Sequence, residues 1–303
     1  MHFNTAVDLP AGLTSRALRH DEAHAVFEVM AAQEAHDLHE VMIEEADIVG
    51  DWSRPSFDVT ASTVGVFKGD RLVAYGEVGH AERGDAAVHP DQRGRGIGTA
   101  IAFWMQETAR ARGNRRIGMP VPEGSPGDHL LAALGYQVRW TSWGLELPAG
   151  ATVPARPLPE GYAVRAADPS EYEQCWTVAE DAFLEWSERE RATFEDWRAD
   201  MVGRPGFAPW NLRVVVDPAG LVVAMSWVQL GEQSAFIARL ATARPERGRG
   251  LAQALLVDSF AVARAHGATR SELSTDSRTG ALGLYERVGM RVTSTWLHRA
   301  IEL

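Results

Sequence analysis

The sequence predicts an α/β protein made of two copies of one domain, each with a central mixed β-sheet flanked by helices. Three observations predict this fold class. The chain has 303 residues, a length that suits two domains of ordinary size. The tetrad Arg-Gly-Arg-Gly at residues 93–96 recurs at residues 247–250. Runs typical of strands and of helices also follow one another in the same order in both halves of the chain.

The repeat extends well beyond the tetrad. When residues 93–113 are paired without gaps with residues 247–267, nine of the 21 positions are identical. Farther along, Gly135 has its counterpart in Gly289 at the same offset of 154 residues. One tetrad recurs easily by chance, but downstream glycines that keep the same spacing indicate a duplicated domain.

A proline-rich stretch separates the two copies. Prolines recur within residues 148–157, and a regular helix is excluded there because proline removes a backbone donor and clashes with the preceding turn. We therefore expect an N-terminal domain over residues 1–147, a linker over residues 148–157 and a C-terminal domain over residues 158–303.

The elements of each copy follow from local patterns. In the first copy, alternating or apolar runs predict strands at residues 63–67 and 71–78. In the second copy, a helix is expected over residues 171–186, with Asp168 or Ser170 as its N-cap. The later elements of that copy are expected, in order, as strands at residues 212–216 and 221–228 joined by a turn at residues 217–220, a strand at residues 234–243, and a helix at residues 251–266 closed by Gly267.

Composition excludes several classes of protein. The 41 acidic and 30 basic residues give a net charge of −11, which argues against broad nucleic-acid binding. The single cysteine, Cys175, excludes an internal disulfide framework, and the ten histidines show no metal-ligand spacing, so no metal is expected. Lys68 is the only lysine and follows Phe67, so a phosphate loop of the Gly-Lys-Ser/Thr type is excluded.

The location of the protein is predicted from what the sequence lacks. The first residues show neither the charged nor the apolar region of a signal peptide, and no apolar run approaches the length of a membrane span. We expect a cytoplasmic protein without a membrane partner.

The arginine-glycine loop is typical of an anion site. In each copy it follows a predicted strand and precedes a predicted helix, whose first N–H groups lack intrahelical partners and favour negative charge. A tight turn that binds nothing is the competing interpretation. A dinucleotide-binding loop is excluded because the glycine spacing is wrong. The candidate phosphate-binding residues are Arg93, Gly94, Arg95, Gly96, Ile97, Gly98 and Thr99 in the first copy, and Arg247, Gly248, Arg249, Gly250, Leu251, Ala252 and Gln253 in the second.

Both loops resemble the acyl-CoA signature of the GNAT acyltransferases, Arg/Gln-x-x-Gly-x-Gly/Ala after a strand that ends near a proline. The first reads Arg-Gly-Arg-Gly-Ile-Gly after Pro90, and the second reads Arg-Gly-Arg-Gly-Leu-Ala after Pro245. Residues 281–290, Ala-Leu-Gly-Leu-Tyr-Glu-Arg-Val-Gly-Met, resemble the family's helix that bears Leu-Tyr-x-x-x-Gly-Phe. The two-copy layout is similar to the tandem branch of the family that includes the mycothiol synthases.

The resemblance implies an N-acyltransferase that uses acetyl-CoA or another acyl-CoA as co-substrate. The loop amides would hold the pyrophosphate, and the acetyl or other acyl group would pass to a primary amine of a small molecule by direct attack in a ternary complex. Tyr285 occupies the family's position for the acid that protonates the leaving thiolate; packing of this tyrosine against the sheet is the competing interpretation. Backbone groups of the preceding strand would hold pantetheine and polarise the thioester carbonyl, at Ala241, Thr242 and Ala243.

The two copies are not equivalent at the acid position. Leu131 stands where the second copy has Tyr285, and Tyr136 comes five residues too late to replace it. We therefore expect the C-terminal copy to be catalytic and the N-terminal copy to be non-catalytic. The first copy is expected to bind CoA unproductively or to shape the acceptor pocket. The family's asparagine before the tyrosine helix is absent from residues 275–278, which leaves pantetheine contacts there open.

The general base is predicted from position alone. A free alkylamine is mostly protonated at neutral pH, so the site needs a proton acceptor. Glu232, just before the strand at residues 234–243, is favoured as this base, and Asp276, at the end of the next strand, is the alternative. Both residues are also typical of solvent-exposed carboxylates.

The acceptor is predicted from charge and aromatic content. Residues 21–58 hold 11 acidic side chains and residues 170–200 hold 10. In the family the first two helices cover the acceptor site, so this charge would attract a cationic amine; a solvated helix face is the competing interpretation. Aromatic side chains of the second copy predict either an acceptor pocket or core packing, and they are Trp176, Phe183, Trp186, Phe194, Trp197 and Trp210.

Two other functions are compatible with the sequence. A non-catalytic CoA-binding or structural module is one, and a protein-lysine acetyltransferase is the other. Tyr285 argues against the first for the second copy, and no feature selects the second. The oligomeric state is left open.

Overall fold

The computed structural model describes residues 9–79, 82–231 and 233–303. The helices are α1 Ala23–Asp37, α2 Glu45–Trp52, α3 Val59–Ser62, α4 Ile97–Ala111, α5 Pro126–Ala133, α6 Tyr172–Leu184, α7 Phe194–Met201, α8 Leu251–Ala265 and α9 Leu282–Arg287. The strands are β1 Thr14–Arg16, β2 Thr63–Lys68, β3 Arg71–Val78, β4 Gly84–Val88, β5 Arg116–Pro122, β6 Gln137–Glu146, β7 Ala163–Ala166, β8 Leu212–Val216, β9 Val222–Leu230, β10 Ser234–Thr242, β11 Arg270–Asp276 and β12 Arg291–Glu302.

The chain divides into two compact units. The first unit contains the residues up to Thr141 together with Trp296–Leu303, and the second contains Ser142–Thr295. Each unit has a β-sheet with helices packed against it, so the predicted α/β fold class is confirmed. The boundaries of these units differ from those of the sequence repeat at the last strand of the chain and at residues 142–157.

In the first unit, strands β1 to β4 form an antiparallel sheet in sequence order. β3 is buried along nearly its whole length, because α1 and α4 both pack against it. Its side chains divide between two hydrophobic clusters, with Val73 in the cluster that contains α4 and Tyr75 in the cluster that contains α1. Such burial on both faces explains why β3 reads as a continuous apolar run.

The end of the chain completes the first unit. The end of β12, Trp296–Glu302, pairs antiparallel with β5. Arg299 of this segment forms an ion pair with Asp128 and donates a hydrogen bond to the carbonyl oxygen of Tyr136 over 3.1 Å. The end of the last strand therefore belongs to the first unit, whereas residues 291–295 of the same strand belong to the second.

In the second unit, the strands lie in the order β7-β8-β9-β10-β11, and residues 142–146 of β6 pair with β11. β10 and β11 are parallel, but their ladder runs only from Ser234–Arg270 to Ile237–Leu273. β10 then continues to Thr242 and β11 to Asp276 without further pairing between them. The two strands therefore part, and a cleft opens where they do.

The local predictions for the second copy agree with these bounds. The helix expected at residues 251–266 is α8, and the turn at residues 217–220 is closed by Asp217, whose Oδ1 accepts from the N–H groups of Ala219 and Leu221. The helix expected to reach residue 186 ends at Leu184. Asp168 caps the short turn that leads into it by accepting from the N–H of Ser170. Among the described residues, no helix has the length and apolar composition that a bilayer span requires.

The two units also share their ion pairs. In each unit one arginine at or next to the end of the first strand pairs with the carboxylate six residues later, and the first loop arginine pairs with a carboxylate at or just past the end of α1 or α6. These pairs are Arg16–Glu22 and Arg93–Asp37 in the first unit, and Arg165–Glu171 and Arg247–Glu185 in the second.

Candidate active site

The second unit has a cleft of about 710 Å³ at the point where β10 and β11 part. That volume lies in the range of small-molecule sites. Most of the second-copy residues predicted from the sequence line this cleft, and they are Ala241, Thr242, Arg247, Gly248, Gly250, Leu251, Ala252, Gln253 and Tyr285. Ala243 and Arg249 are not among the lining residues.

The glycine loop leads directly into α8. Gly248 and Gly250 have φ angles of +78° and +84°, which side chains other than glycine rarely adopt. Gly250 is the N-cap of α8, so the first amides of this helix and the loop amides lie at the rim of the cleft. A helix start that leaves N–H groups without intrahelical partners is suited to bind phosphate oxygens.

The two arginines of the loop are bound to other side chains. Arg247 forms a two-fold hydrogen bond with the carboxylate of Glu185, at 2.7 and 2.9 Å. Arg249 donates to the hydroxyl of Tyr162 over 2.8 Å and lies 3.4 Å from the carboxylate of Glu246. Their charge is therefore partly neutralised, and they fix the conformation of the loop.

The end of β10 leaves polar groups free toward the cleft. The N–H of Ala243 donates to the carbonyl oxygen of Val223 on β9. Because N–H directions alternate along a strand, the N–H of Thr242 points to the opposite edge, where β11 has already parted. Among the described residues, the buried Oγ1 of Thr242 also has no hydrogen-bond partner. Thr242 is thus the strand residue whose backbone N–H faces the parted edge, whereas the N–H of Ala243 is engaged with β9.

Tyr285 lies on α9 and lines the same cleft. Its side chain is 8% exposed, and burial raises the pKa of its hydroxyl to about 12. No described residue forms a hydrogen bond with this hydroxyl. The phenol is therefore protonated at physiological pH and free to donate into the cleft.

The carboxylates of the cleft are already occupied. Both oxygens of Asp276 accept hydrogen bonds from the guanidinium of Arg278, at 2.6 and 3.2 Å, and this arginine lies over the ring of Trp186. Glu185 is paired with Arg247, and Glu246 accepts from Tyr162. Asp276 is therefore poorly placed to accept a proton. Glu232, the favoured base, lies outside the described residues.

The aromatic residues of the second unit divide between two roles. Phe183 and Trp186 line the cleft and pack against each other, with ring centroids 5.2 Å apart. The remaining predicted aromatics do not line the cleft: Trp176 contacts Phe194 edge-to-face, Trp197 stacks with Phe194, and Trp210 stacks on His266.

Several acidic residues of the second unit form ion pairs with nearby arginines. The pairs at α6 and α7 are Glu180–Arg189, Asp181–Arg191 and Asp200–Arg239. Where guanidinium groups hold the Glu180 carboxylate, its pKa lies below its usual value despite partial burial. The excess of acidic residues in this stretch is thus a poorer indicator of an acceptor site than the sequence suggested.

The first unit has a comparable cleft of about 480 Å³ with different chemistry. Its loop keeps positive φ angles at Gly94 and Gly96, but Leu131 lines the cleft where the second unit has Tyr285. Tyr136 is buried in the core and its hydroxyl accepts from Gln106, so it does not replace the missing phenol. The first-unit loop candidates Arg93, Gly94, Gly96, Ile97, Gly98 and Thr99 line this cleft, whereas Arg95 is not among the lining residues.

A glutamine also closes the strand edge of the first unit. The N–H of Val88 at the end of β4 donates to the side-chain oxygen of Gln33 over 3.1 Å. Val88 corresponds to Thr242 at the repeat offset of 154 residues. The backbone N–H that faces the parted edge at Thr242 in the second unit therefore has a hydrogen-bond partner, Gln33, at the equivalent Val88 in the first. No sequence motif predicted this difference.

Neither a reactive cysteine nor a metal centre is found among the described residues. Cys175 is fully buried, and burial raises the pKa of its thiol to about 12, so it is unreactive at neutral pH. Within residues 9–79, 82–231 and 233–303, no three His, Cys, Asp or Glu side chains are arranged to hold a metal ion.

Comparison with known proteins supports the resemblance drawn from the loops. Residues 24–136 and 170–290 each match the Acetyltransferase (GNAT) family. The chain is 33% identical over 218 residues to the mycothiol acetyltransferase of Salinispora arenicola, which covers 68% of either chain.

Solved structures with a similar fold include acetyltransferases of the same kind. A GCN5-related N-acetyltransferase from Sphaerobacter thermophilus has a TM-score of 0.74 and 27% identity, with 97% of this chain and 96% of that chain covered. A tandem GNAT protein from the clavulanic acid biosynthesis pathway has a TM-score of 0.71 over 96% and 98% of the two chains, and at 19% identity this likeness shows the fold alone. The expected similarity to tandem members of the family is confirmed. With both repeats matched and a relative of this identity and coverage, the chain belongs to the GNAT family of acetyltransferases.

Proposed function

We propose that this acetyltransferase moves the acetyl group of acetyl-CoA to a primary amine of a small molecule, and that the second unit carries the chemistry. The observation that carries the proposal is the buried hydroxyl of Tyr285, which lines the cleft next to a glycine loop and has no partner among the described residues. The first unit has Leu131 at the same position and therefore lacks the acid.

The acceptor class is inferred from the relatives. The relatives of this chain include mycothiol acetyltransferases, whose name refers to a small molecule. Phe183 and Trp186 provide flat apolar surface on one wall of the cleft, a suitable surface for a small acceptor. The neutralised acidic residues nearby give no specific reason to prefer a protein lysine as acceptor.

The cleft fits an acyl-CoA on chemical grounds. The loop from Arg247 to Gly250 and the first turn of α8 present backbone N–H groups to the pyrophosphate, and the edge of β10 at Thr242 runs along the pantetheine arm. A position beside the N–H of Thr242 brings the thioester carbonyl close to a backbone donor. Such a donor stabilises the negative charge that develops on the carbonyl oxygen.

The reaction then needs one bond to form and one to break. The amine nitrogen attacks the thioester carbonyl carbon, the carbon–nitrogen bond forms, and the carbon–sulfur bond breaks. Tyr285 donates its proton to the departing sulfur. The surplus proton of the amine passes to a base, for which we propose Glu232, directly or through water.

A cytoplasmic location, expected from the sequence, stays a prediction.

A tyrosine-to-phenylalanine exchange tests this function. We expect Tyr285→Phe to lower kcat with acetyl-CoA and an amine acceptor by roughly 100-fold, in the range typical of a lost general acid, and to leave the Kd for acetyl-CoA unchanged. Acceptors are identified in a screen of small primary amines, in which release of the CoA thiol is measured. The matched control is Tyr136→Phe, which removes a buried hydroxyl of the first unit that does not line the second-unit cleft and should leave kcat at the wild-type level.

Calorimetry with acetyl-CoA comes before the amine screen. Binding to the folded protein with turnover that is insensitive to Tyr285→Phe would remove this tyrosine from the mechanism. A folded protein that binds no acetyl-CoA would contradict the proposed function itself.

A further inference from the structure

The three arginines that line the second-unit cleft differ in whether a carboxylate is paired with them. Arg247 is paired with Glu185 and Arg278 with Asp276, so the charge of each is already balanced by a carboxylate. Arg156 also lines the cleft, and within the described part of the chain no carboxylate lies within ion-pair distance of it. It is an exposed guanidinium whose charge is available to a ligand.

Arg156 lies directly over the glycine loop. A Cβ atom built at Gly250 would be 2.6 Å from both Cδ and Nε of Arg156. At Gly96, the equivalent glycine of the first unit, no described atom lies within 4 Å of the same position. The second loop therefore has a cation above its N-cap that the described part of the first unit does not supply.

The backbone around Arg156 is held in place. Val153 is 6% exposed and packs in the core of the second unit, and the carbonyl oxygen of Pro154 accepts from Nε2 of Gln253 on α8 over 2.7 Å. On the other side, Leu158 packs beside α8. Pro154 and Pro157 restrict the short segment between these anchors. The segment predicted to be a linker therefore holds Arg156 beside the glycine loop, on a backbone that is anchored on both sides.

We infer that Arg156 binds the diphosphate of the acyl-CoA, opposite the loop amides. This inference rests on the proposed function. The amides at the start of a helix supply only partial positive charge. The charges of the loop arginines are balanced by ion pairs with Glu185 and Glu246. A guanidinium supplies a full charge and forked donors that match phosphate oxygens. Arg156 is thus a binding residue for the acyl donor, and it comes from outside the recognised motif.

The test compares three ligands by calorimetry at fixed ionic strength. They are CoA, dephospho-CoA, which lacks the 3′-phosphate, and pantetheine, which lacks every phosphate. We expect Arg156→Ala to weaken CoA and dephospho-CoA alike by roughly tenfold and to leave pantetheine unchanged. Arg156→Lys keeps the charge without the fork and should lie between wild type and Arg156→Ala. In turnover, Arg156→Ala should raise KM for acetyl-CoA with little change in kcat.

The control and the contrary outcomes are distinct. Arg264→Ala removes another exposed arginine, on the far end of α8, and should leave all three affinities at wild-type values. A loss confined to CoA would move the contact to the 3′-phosphate and overturn the diphosphate assignment. Equal affinities of wild type and Arg156→Ala for CoA would overturn the inference altogether. A wild-type protein that binds none of the ligands would instead contradict the proposed function.

Discussion

Tyr285 and Leu131 occupy equivalent positions in the two repeats and each lines a cleft, but only the tyrosine carries a hydroxyl. A leucine there packs well but has no proton to give. Under the proposed function, in which Tyr285 protonates the departing sulfur, this single position separates the repeats by chemistry while both keep the same loop.

Glu77 shows how burial changes a carboxylate in the first unit. It lies on β3, and Nε1 of Trp52 donates to it over 3.0 Å. Burial raises its pKa from 4.5 to about 7, and the nearby carboxylates of Asp51 and Asp85 act in the same direction. Arg54 and the Trp52 hydrogen bond oppose this shift without cancelling it.

The Glu77 shift predicts a pH-dependent stability. Between pH 4.5 and about 7 the folded protein keeps a proton that the unfolded chain has lost, so the free energy of unfolding falls as pH rises. The loss is complete above about pH 7 and amounts to at most about 3 kcal/mol at 1.36 kcal/mol per pKa unit. Glu77→Gln, which stays neutral, should therefore melt above wild type at pH 8 and close to it at pH 4.5.

Thermal melts across this pH range check the prediction. Glu107→Gln, an exposed substitution on α4, should reproduce the wild-type profile. A Glu77→Gln variant that still loses stability in the same window would show that other groups cause the fall.

At the scale of an element, the loop and α8 are the parts that the sequence specified best. A strand, two glycines with positive φ and an amphipathic helix are all local features, and each was predicted within two residues of its observed place. The ends of α6 and of the strand ladders were less predictable, because they depend on which neighbours pack there.

Gly250→Ala tests the loop as an element. Alanine at this position must keep a left-handed φ, at a cost of about 1 kcal/mol. Its methyl group would also contact the side chain of Arg156. We expect KM for acetyl-CoA to rise by roughly tenfold because the loop and its arginine must both shift. Steady-state kinetics with varied acetyl-CoA measure this.

Gly267→Ala is the matched control, because this glycine lies at the other end of α8, has a φ of +102° and faces open space. It should lose similar stability and keep the wild-type KM. If both variants bind acetyl-CoA as wild type does, the loop is not part of the donor site.

At the scale of the molecule, the last strand of the chain is the feature that a linear domain boundary misses. Residues 296–302 pair with β5 in the first unit, while residues 142–146 pair with β11 in the second. The sequence expectation of domains at 1–147 and 158–303 stays a prediction, and the compact units place residues 142–157 and 296–303 differently.

Removal of residues 296–303 tests this assignment. We expect amides of β5 and α5 to lose protection from hydrogen exchange, since β5 loses its antiparallel partner and Asp128 loses Arg299. Amides of β8 and β9 in the second unit serve as the internal reference and should stay protected. Faster exchange throughout both units would count against assigning this strand to the first unit.

The sequence by itself determined the duplicated α/β fold, the two glycine loops and the inequality of Tyr285 and Leu131, because these depend on periodicity, motif spacing and residue identity. Only the tertiary structure decided that Asp276 is bound to Arg278, that Arg156 lies over Gly250 and that the last strand completes the first unit. Each of these depends on which residues meet in space, and no local pattern specifies the partner of a strand or of a charge.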